Sequence, residues 1–135
     1  MPVGESVIRL FLVRHGRVHN PRRLAYGYLP RMGLDPSGRA QAERAGTWLC
    51  SWRPVAVYTS PLLRALQTTR AILPRLLGCA DVAGASGPTG PLAPAGPPVH
   101  RSSLLRESEL ARYWQGTPID ERPARFPEEW RLFSQ

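Results

Sequence analysis

Two short apolar runs, at 7–13 and 55–59, each precede a stretch with helical periodicity. Short apolar runs bounded by turn residues are typical of buried strands, and the stretches that follow are typical of amphipathic helices. The order strand, helix, strand, helix favours an α/β fold with a parallel sheet, because parallel strands need a crossover connection. A chain of 135 residues provides one modest core, so a single domain is expected.

Two similar signals mark where the helices begin. Asp35-Pro36 and Ser60-Pro61 each place a capping side chain before a proline, which suits the first helical position. The first helix is expected to end at Arg53-Pro54. Pro74 is expected to kink or shorten the second helix, because proline cannot donate the interior hydrogen bond.

The segment 78–98 interrupts this pattern. Fifteen of its 21 positions are Gly, Ala or Pro, so it cannot bury enough apolar surface to become ordered. It is predicted to be a flexible surface insertion. After it, the sequence predicts a third short strand at 99–102 and a short helix opened by Pro127.

Positive charge is concentrated near the N-terminus. The net charge of +8 comes from arginine alone, and no acidic residue lies between Glu5 and Asp35. A field of this sign attracts an anionic ligand. Nucleic acid is disfavoured as that ligand, because the arginines are scattered from Arg9 to Arg131 without interleaved aromatic residues.

The sequence shows no targeting or membrane signal. No apolar run approaches the ~20 residues that cross a bilayer, and the run at 7–13 is too short for a secretory signal. Cys50 and Cys79 lack metal-ligand spacing. We therefore expect reduced thiols in a cytoplasmic protein that does not contact membranes.

The tripeptide Arg14-His15-Gly16 directly follows the first apolar run. In a parallel α/β sheet, ligands bind beyond the carboxyl ends of the strands. A neutral imidazole can attack phosphorus and form a phosphohistidine, an arginine fork matches phosphate oxygens, and glycine permits a close turn. These residues predict a site in which His15 accepts a phosphoryl group and Arg14 binds phosphate.

Arg64 and Glu107 extend this site at the ends of the second and third predicted strands. Arg64 lies in the first helical turn, beside unpaired N–H groups that favour an anion. Glu107 could protonate the leaving alkoxide of a phosphomonoester, since a nearby phosphate dianion raises the pKa of a carboxyl group. Glu109 is a rival for the same role, and the spacing barely separates the two.

Four segments occur in a distinctive order along the chain. They are Phe11-Leu12-Val13-Arg14-His15-Gly16, Leu34-Asp35-Pro36-Ser37-Gly38-Arg39-Ala40-Gln41-Ala42, Tyr58-Thr59-Ser60-Pro61-Leu62-Leu63-Arg64-Ala65-Leu66-Gln67-Thr68-Thr69, and Leu105-Arg106-Glu107 with Trp114-Gln115-Gly116. In this order they resemble the histidine phosphatase superfamily (phosphoglycerate mutase-like). The resemblance covers residues 7–77 and 99–116.

The resemblance implies an α/β three-layer sandwich with a mostly parallel sheet, and a reaction that uses no cofactor and no metal. It implies that His15 is the nucleophile and that Arg14 and Arg64 bind the substrate phosphate. Asn20 stands where many members place an asparagine that touches phosphate. Gly27 stands where a loop glycine approaches the substrate.

The resemblance also implies that Glu107 is the proton donor. One extra residue separates it from the Trp-x-Gly segment at 114–116, relative to the commonest pattern. Glu109 therefore stays open as the alternative donor.

The family's site has a second histidine, at the end of a later strand in a segment resembling Val-Val-Ser-His-Gly. His19 and His100 are the other histidines here, and neither has that context. We expect residues 1–135 to form a single incomplete domain that lacks the C-terminal strands and the second-histidine strand. The strand at 7–13 would then keep an unpaired edge. Poor activity, marginal stability and self-association through that edge are expected.

The function that these features predict is hydrolysis of a small phosphomonoester through a phosphohistidine on His15. A catalytically inactive phosphate- or polyanion-binding module is the first alternative. A phosphoglycerate mutase-type phosphotransferase is the second alternative. It is disfavoured because the arginine-rich loop predicted at 17–34 lacks a clear mutase signature.

Overall fold

The computed structural model describes residues 7–78, 96–106 and 113–134. Helix α1 (Pro36–Cys50), strand β1 (Val57–Thr59), helix α2 (Leu63–Leu77) and strand β2 (Val99–Arg101) follow one another in the predicted order. The described chain continues with 3₁₀ turns at Ser103–Leu105 and Ile119–Glu121, helix α3 (Arg122–Arg125) and helix α4 (Pro127–Phe133).

The first two helices begin differently. The Asp35 carboxylate accepts a hydrogen bond from the Gly38 N–H at 2.7 Å and caps α1, as its sequence predicts. Helix α2 begins after Leu62 without a side-chain cap. It also continues past Pro74 to Leu77, so the proline does not shorten it. A proline in the last turn removes little, because the helix has few bonds left to lose there.

The core lies between α1 and α2. Its buried side chains are Ala42, Leu49, Ala71, Ile72 and Leu76. The helices approach closely at Gly46, where an added Cβ would lie 2.9 Å from the Ile72 carbonyl oxygen. A glycine is needed at that point because the facing atom is backbone and cannot move aside.

Strands β1 and β2 form a two-stranded parallel sheet in the described part of the chain, with Val57 opposite Val99 and Thr59 opposite Arg101. The Thr69 hydroxyl donates to Thr59 Oγ1 at 2.9 Å and fastens α2 to the end of β1. The predicted α/β class with parallel pairing is confirmed.

The prediction of a buried strand at 7–13 is wrong. This segment forms no strand among the described residues, and most of its apolar side chains are exposed. Phe11 is the exception, since it packs against Trp48 and Trp52 at ring separations of 5.7 and 5.5 Å. An apolar run becomes a buried strand only where neighbouring backbone is present to pair with it.

The state of Cys50 also differs from the prediction. Cys50 ends α1 and is disulfide-bonded, rather than a reduced thiol. The sequence contains one other cysteine, Cys79, which lies outside the described residues. Disulfides are uncommon in the cytosol, so this bond does not support the expected cytoplasmic location, which stays a prediction.

Most of the predicted insertion at 78–98 lies outside the described residues. Its two ends are described: Gly78 caps α2, and the Pro98 carbonyl accepts the Val57 N–H at 2.9 Å. Across 7–78, 96–106 and 113–134, no helix combines the length and apolar character that crossing a membrane requires.

Candidate active site

His15 lies in the irregular stretch of chain that follows the segment 7–13, and its side chain is half-buried. Its Nδ1 lies 2.8 Å from the Gly16 carbonyl oxygen. A carbonyl can only accept, so in a neutral ring this contact favours the tautomer with the hydrogen on Nδ1 and makes Nε2 the candidate nucleophile.

Arg64 lies in the first turn of α2 and is 2% exposed. Its Nη2 donates to the Gly27 carbonyl at 2.9 Å, and its guanidinium carbon lies 4.8 Å from the centre of the Tyr26 ring. Tyr26 also meets the edge of the His15 ring, at a centroid distance of 6.1 Å. The structure therefore brings His15 and Arg64 to the same aromatic side chain. Arg64 is not a solvated helix arginine.

The turn that carries His15 is pressed against the start of α1. A Cβ added at Gly16 would lie 2.1 Å from the Gly38 carbonyl oxygen, and one added at Gly38 would lie 2.0 Å from the Arg17 carbonyl oxygen. Real Cβ atoms do not approach that closely. Both glycines are therefore needed for the turn to pack where it does.

Polar contacts fix the same turn. The Arg17 N–H donates to Gln41 Oε1 at 2.9 Å, and the Arg17 guanidinium pairs with Asp35. The N–H of Gly38 and the Arg17 guanidinium, in that order of effect, hold the pKa of the Asp35 carboxyl below its usual range. Asp35 thus acts twice, as the cap of α1 and as the partner of the residue that follows Gly16.

The arginine-rich loop is closed by a backbone bridge at its base, and its tip contacts the segment 116–117. Val18 bridges Leu34 at the base. At the tip, the Ala25 N–H donates to the Thr117 carbonyl and the Gly116 N–H donates to the Ala25 carbonyl, both at 2.8 Å. The loop is therefore anchored beside His15, with the Trp-x-Gly segment as its support.

Asn20 takes part in this loop. Its Nδ2 donates to the Leu24 carbonyl at 2.8 Å and its Oδ1 accepts the Leu24 N–H at 2.9 Å. Both amide atoms therefore stabilise the loop itself. The contact between Asn20 and phosphate stays a prediction.

The remaining candidate residues occupy different situations. Arg14 is exposed, immediately before His15. Gly27 approaches the site through its carbonyl, which binds Arg64, and its φ of 34° is rare for residues other than glycine. Glu107 and Glu109 lie outside the described residues, so the choice of proton donor stays open.

Chemically, the described residues bring the imidazole of His15 and the buried guanidinium of Arg64 to Tyr26, next to the first turn of α2. Phosphate oxygens are stabilised by arginine forks and by the free N–H groups of a helix N-terminus. Such a site is suited to receiving a phosphoryl group.

The histidine phosphatase superfamily (branch 1) profile matches residues 10–82, so the chain belongs to that superfamily. Proteins named as phosphatases are among those that it resembles.

Two curated relatives each match half of the chain. An uncharacterized protein of Mycobacterium tuberculosis is 43% identical over 67 residues, which are 50% of this chain and 33% of that protein. A broad-specificity phosphatase of Saccharomyces cerevisiae is 36% identical over 72 residues, which are 50% of this chain and 30% of that protein. The matches thus span about a third of each relative.

Solved structures match more of the chain. YhfR of Bacillus stearothermophilus superposes with a TM-score of 0.65 at 27% identity, covering 90% of this chain and 50% of that one. A mycobacterial glucosyl-3-phosphoglycerate phosphatase in complex with VO3 gives 0.56 at 26% identity, covering 88% and 49%. The chain therefore spans about half the length of these structures.

Two residues that contact the site, Tyr26 and Thr68, are not among the site residues that the sequence predicts. Tyr26 could have been predicted only from its position next to Gly27, which the resemblance places near the substrate. Thr68 lies four residues after Arg64, on the same face of α2. Neither residue type indicates phosphate chemistry by itself.

Proposed function

We propose that the chain carries the phosphoryl-accepting half of a phosphomonoester hydrolase. Nε2 of His15 attacks phosphorus, the bond from phosphorus to the ester oxygen breaks, and the leaving alkoxide takes a proton from a carboxylic acid. Glu107 is the proposed donor and Glu109 the alternative. Water then attacks the phosphohistidine, which releases inorganic phosphate and restores the imidazole.

The hydrogen bond from His15 Nδ1 to the Gly16 carbonyl carries this proposal. As Nε2 bonds to phosphorus, the ring gains positive charge, and the carbonyl stabilises the N–H that carries part of it. Arg14 and Arg64 would stabilise charge on the phosphoryl oxygens.

Trapping the intermediate tests the proposal. Incubation with a radiolabelled phosphomonoester should leave acid-labile, alkali-stable phosphate on the wild-type chain. His15→Ala should abolish the label. His19→Ala should retain it, because His19 is an exposed loop histidine and serves as the matched control. If both wild type and His15→Ala carry the label to the same extent, the nucleophile is assigned wrongly.

The coverage of the relatives supports a second candidate. The chain spans 45% to 50% of YhfR, of the glucosyl-3-phosphoglycerate phosphatase with VO3, and of that phosphatase in complex with inorganic phosphate. The second histidine that the resemblance implies has no counterpart in this sequence. Because loss of one preorganised donor typically lowers kcat by ~10²–10³, we propose that turnover by the 135-residue chain is weak. In the limiting case the chain binds phosphate without chemistry. Phosphate affinity that is equal in wild type and His15→Ala, with no label in either, favours that case.

The substrate proposal is limited to a chemical class. One relative is named a broad-specificity phosphatase and one neighbour a glucosyl-3-phosphoglycerate phosphatase. Small sugar and glycerate phosphates are therefore the first compounds to assay.

A further inference from the structure

One buried hydroxyl connects the two residues on which the proposed reaction depends. Thr68 lies in α2 and is 5% exposed. Its Oγ1 donates to the Arg64 carbonyl at 2.8 Å and accepts the Gly16 N–H at 3.1 Å. A hydroxyl has one hydrogen and two lone pairs, so it makes both bonds at once.

The bond to Gly16 acts on His15. The Gly16 carbonyl holds Nδ1 of His15, and the Gly16 Cα is packed against Gly38. The peptide that Thr68 holds through its N–H therefore belongs to the same residue that orients the imidazole. If this peptide moved, the ring would move with it.

The bond to Arg64 acts on the other side of the site. Helical threonines often donate to the carbonyl four residues earlier, and that bond alone has no functional meaning. The Gly16 contact is different, because it joins residues 52 positions apart. The Thr68 hydroxyl therefore connects the first turn of α2, at Arg64, with the backbone that follows His15, at Gly16.

We propose that Thr68 is a positioning residue, which sets the separation between Nε2 of His15 and the guanidinium of Arg64. This inference rests on the proposed function. Phosphoryl transfer depends mainly on alignment, and a misplacement of about 1 Å can lower a rate by ~10²-fold. Thr68 would thus affect the rate of phosphoryl transfer without touching the substrate.

Thr69 provides a matched control. It is also buried, and its hydroxyl makes one hydrogen bond, to Thr59 at the end of β1. Thr68→Val and Thr69→Val each remove one buried hydroxyl from α2 with almost no change of shape. Thr68→Ser restores both bonds of Thr68.

The experiment uses two readouts on the full chain. The first is hydrogen exchange at the Gly16 amide, which requires no turnover. The second is the rate of His15 labelling by radiolabelled p-nitrophenyl phosphate at saturation, with the affinity for inorganic phosphate measured in parallel. Thr68→Val should speed Gly16 exchange about tenfold or more and slow labelling by ~10–100-fold. Thr68→Ser and Thr69→Val should stay within about threefold of wild type in labelling.

The outcomes separate the two proposals. If Thr68→Val and Thr69→Val label His15 at the same rate, Thr68 has only a structural role and the inference is overturned. If no variant and no wild-type chain carries phosphate, the proposed function fails, and Gly16 exchange then decides whether Thr68 couples the two turns. Equal exchange in the two valine variants overturns that coupling as well.

Discussion

The guanidinium of Arg64 is held from two directions. The Gly27 carbonyl accepts from Nη2, and the Tyr26 ring lies under the guanidinium carbon. A buried arginine with both contacts keeps its fork in one orientation, so it would lose little conformational entropy on binding an anion. The loop that supplies Tyr26 and Gly27 therefore fixes the orientation of the Arg64 guanidinium.

Removing the Tyr26 ring should weaken phosphate binding. A desolvated cation–π contact contributes about 0.5–2 kcal/mol, so Tyr26→Leu should raise the Kd for inorganic phosphate roughly twofold to thirtyfold. Tyr26→Phe keeps the ring and should bind as the wild type does. Titration calorimetry measures both. Equal weakening by leucine and phenylalanine would show that the hydroxyl matters instead of the ring.

How far the site could be predicted from sequence depends on distance along the chain. His15 and Arg64 each follow a predicted strand, and the structure places both beside Tyr26 although only the strand before Arg64 forms among the described residues. The Gly16–Thr68 bond could not be foreseen, because nothing in the local sequence encodes a pairing across 52 positions. The roles assigned to Asn20 and Glu107 stay predictions.

Helix α1 combines a cap and an ion pair in one residue. Asp35 caps the helix through Gly38 and pairs with Arg17 in the turn after His15. Because both contacts favour the ionised carboxylate, the pKa in the folded chain lies below that in the unfolded chain. The resulting stabilisation is present above the unfolded pKa, about 4, and is lost as the pH falls through the folded pKa.

Asp35→Asn should therefore lower stability at neutral pH and matter progressively less in acid. Asparagine still caps a helix, so the change removes mainly the charge. Urea midpoints compared at pH 7 and pH 3 measure the effect. Asp120→Asn is the control, since its pair with Arg23 is exposed and such pairs contribute little. A difference between wild type and Asp35→Asn that is the same at both pH values would contradict the assignment.

The secondary-structure elements with local signals were predictable. Capping by Asp35 and proline at the first turn predicted α1, and Pro127 predicted α4. The segment 7–13 was not predictable, because an apolar run specifies that a partner is needed without specifying whether one is present. Cys50 shows the same limitation, since a disulfide depends on tertiary proximity.

At the scale of the whole molecule, the segment 7–13 leaves an apolar surface uncovered. Leu10 is 77% exposed and Leu12 is 89% exposed, and Val7, Ile8 and Val13 of the same segment are exposed as well. Backbone that is not paired in a sheet and carries apolar side chains can act as a template for another strand. Five exposed apolar residues within one short segment contrast with the single exposed leucines that are normal on soluble proteins.

We therefore predict that the chain self-associates through 7–13. Sedimentation velocity should show mass that increases with concentration over about 10–100 µM, a range in which exposed apolar edges associate. The double variant Leu10→Lys, Leu12→Lys should shift the chain to monomer, because lysine on an edge blocks strand addition. Leu104→Lys is the control, since Leu104 is 92% exposed outside this segment and should leave association unchanged. A wild-type chain that stays monomeric throughout, or a Leu104 variant that dissociates equally, would show that 7–13 is not the associating edge.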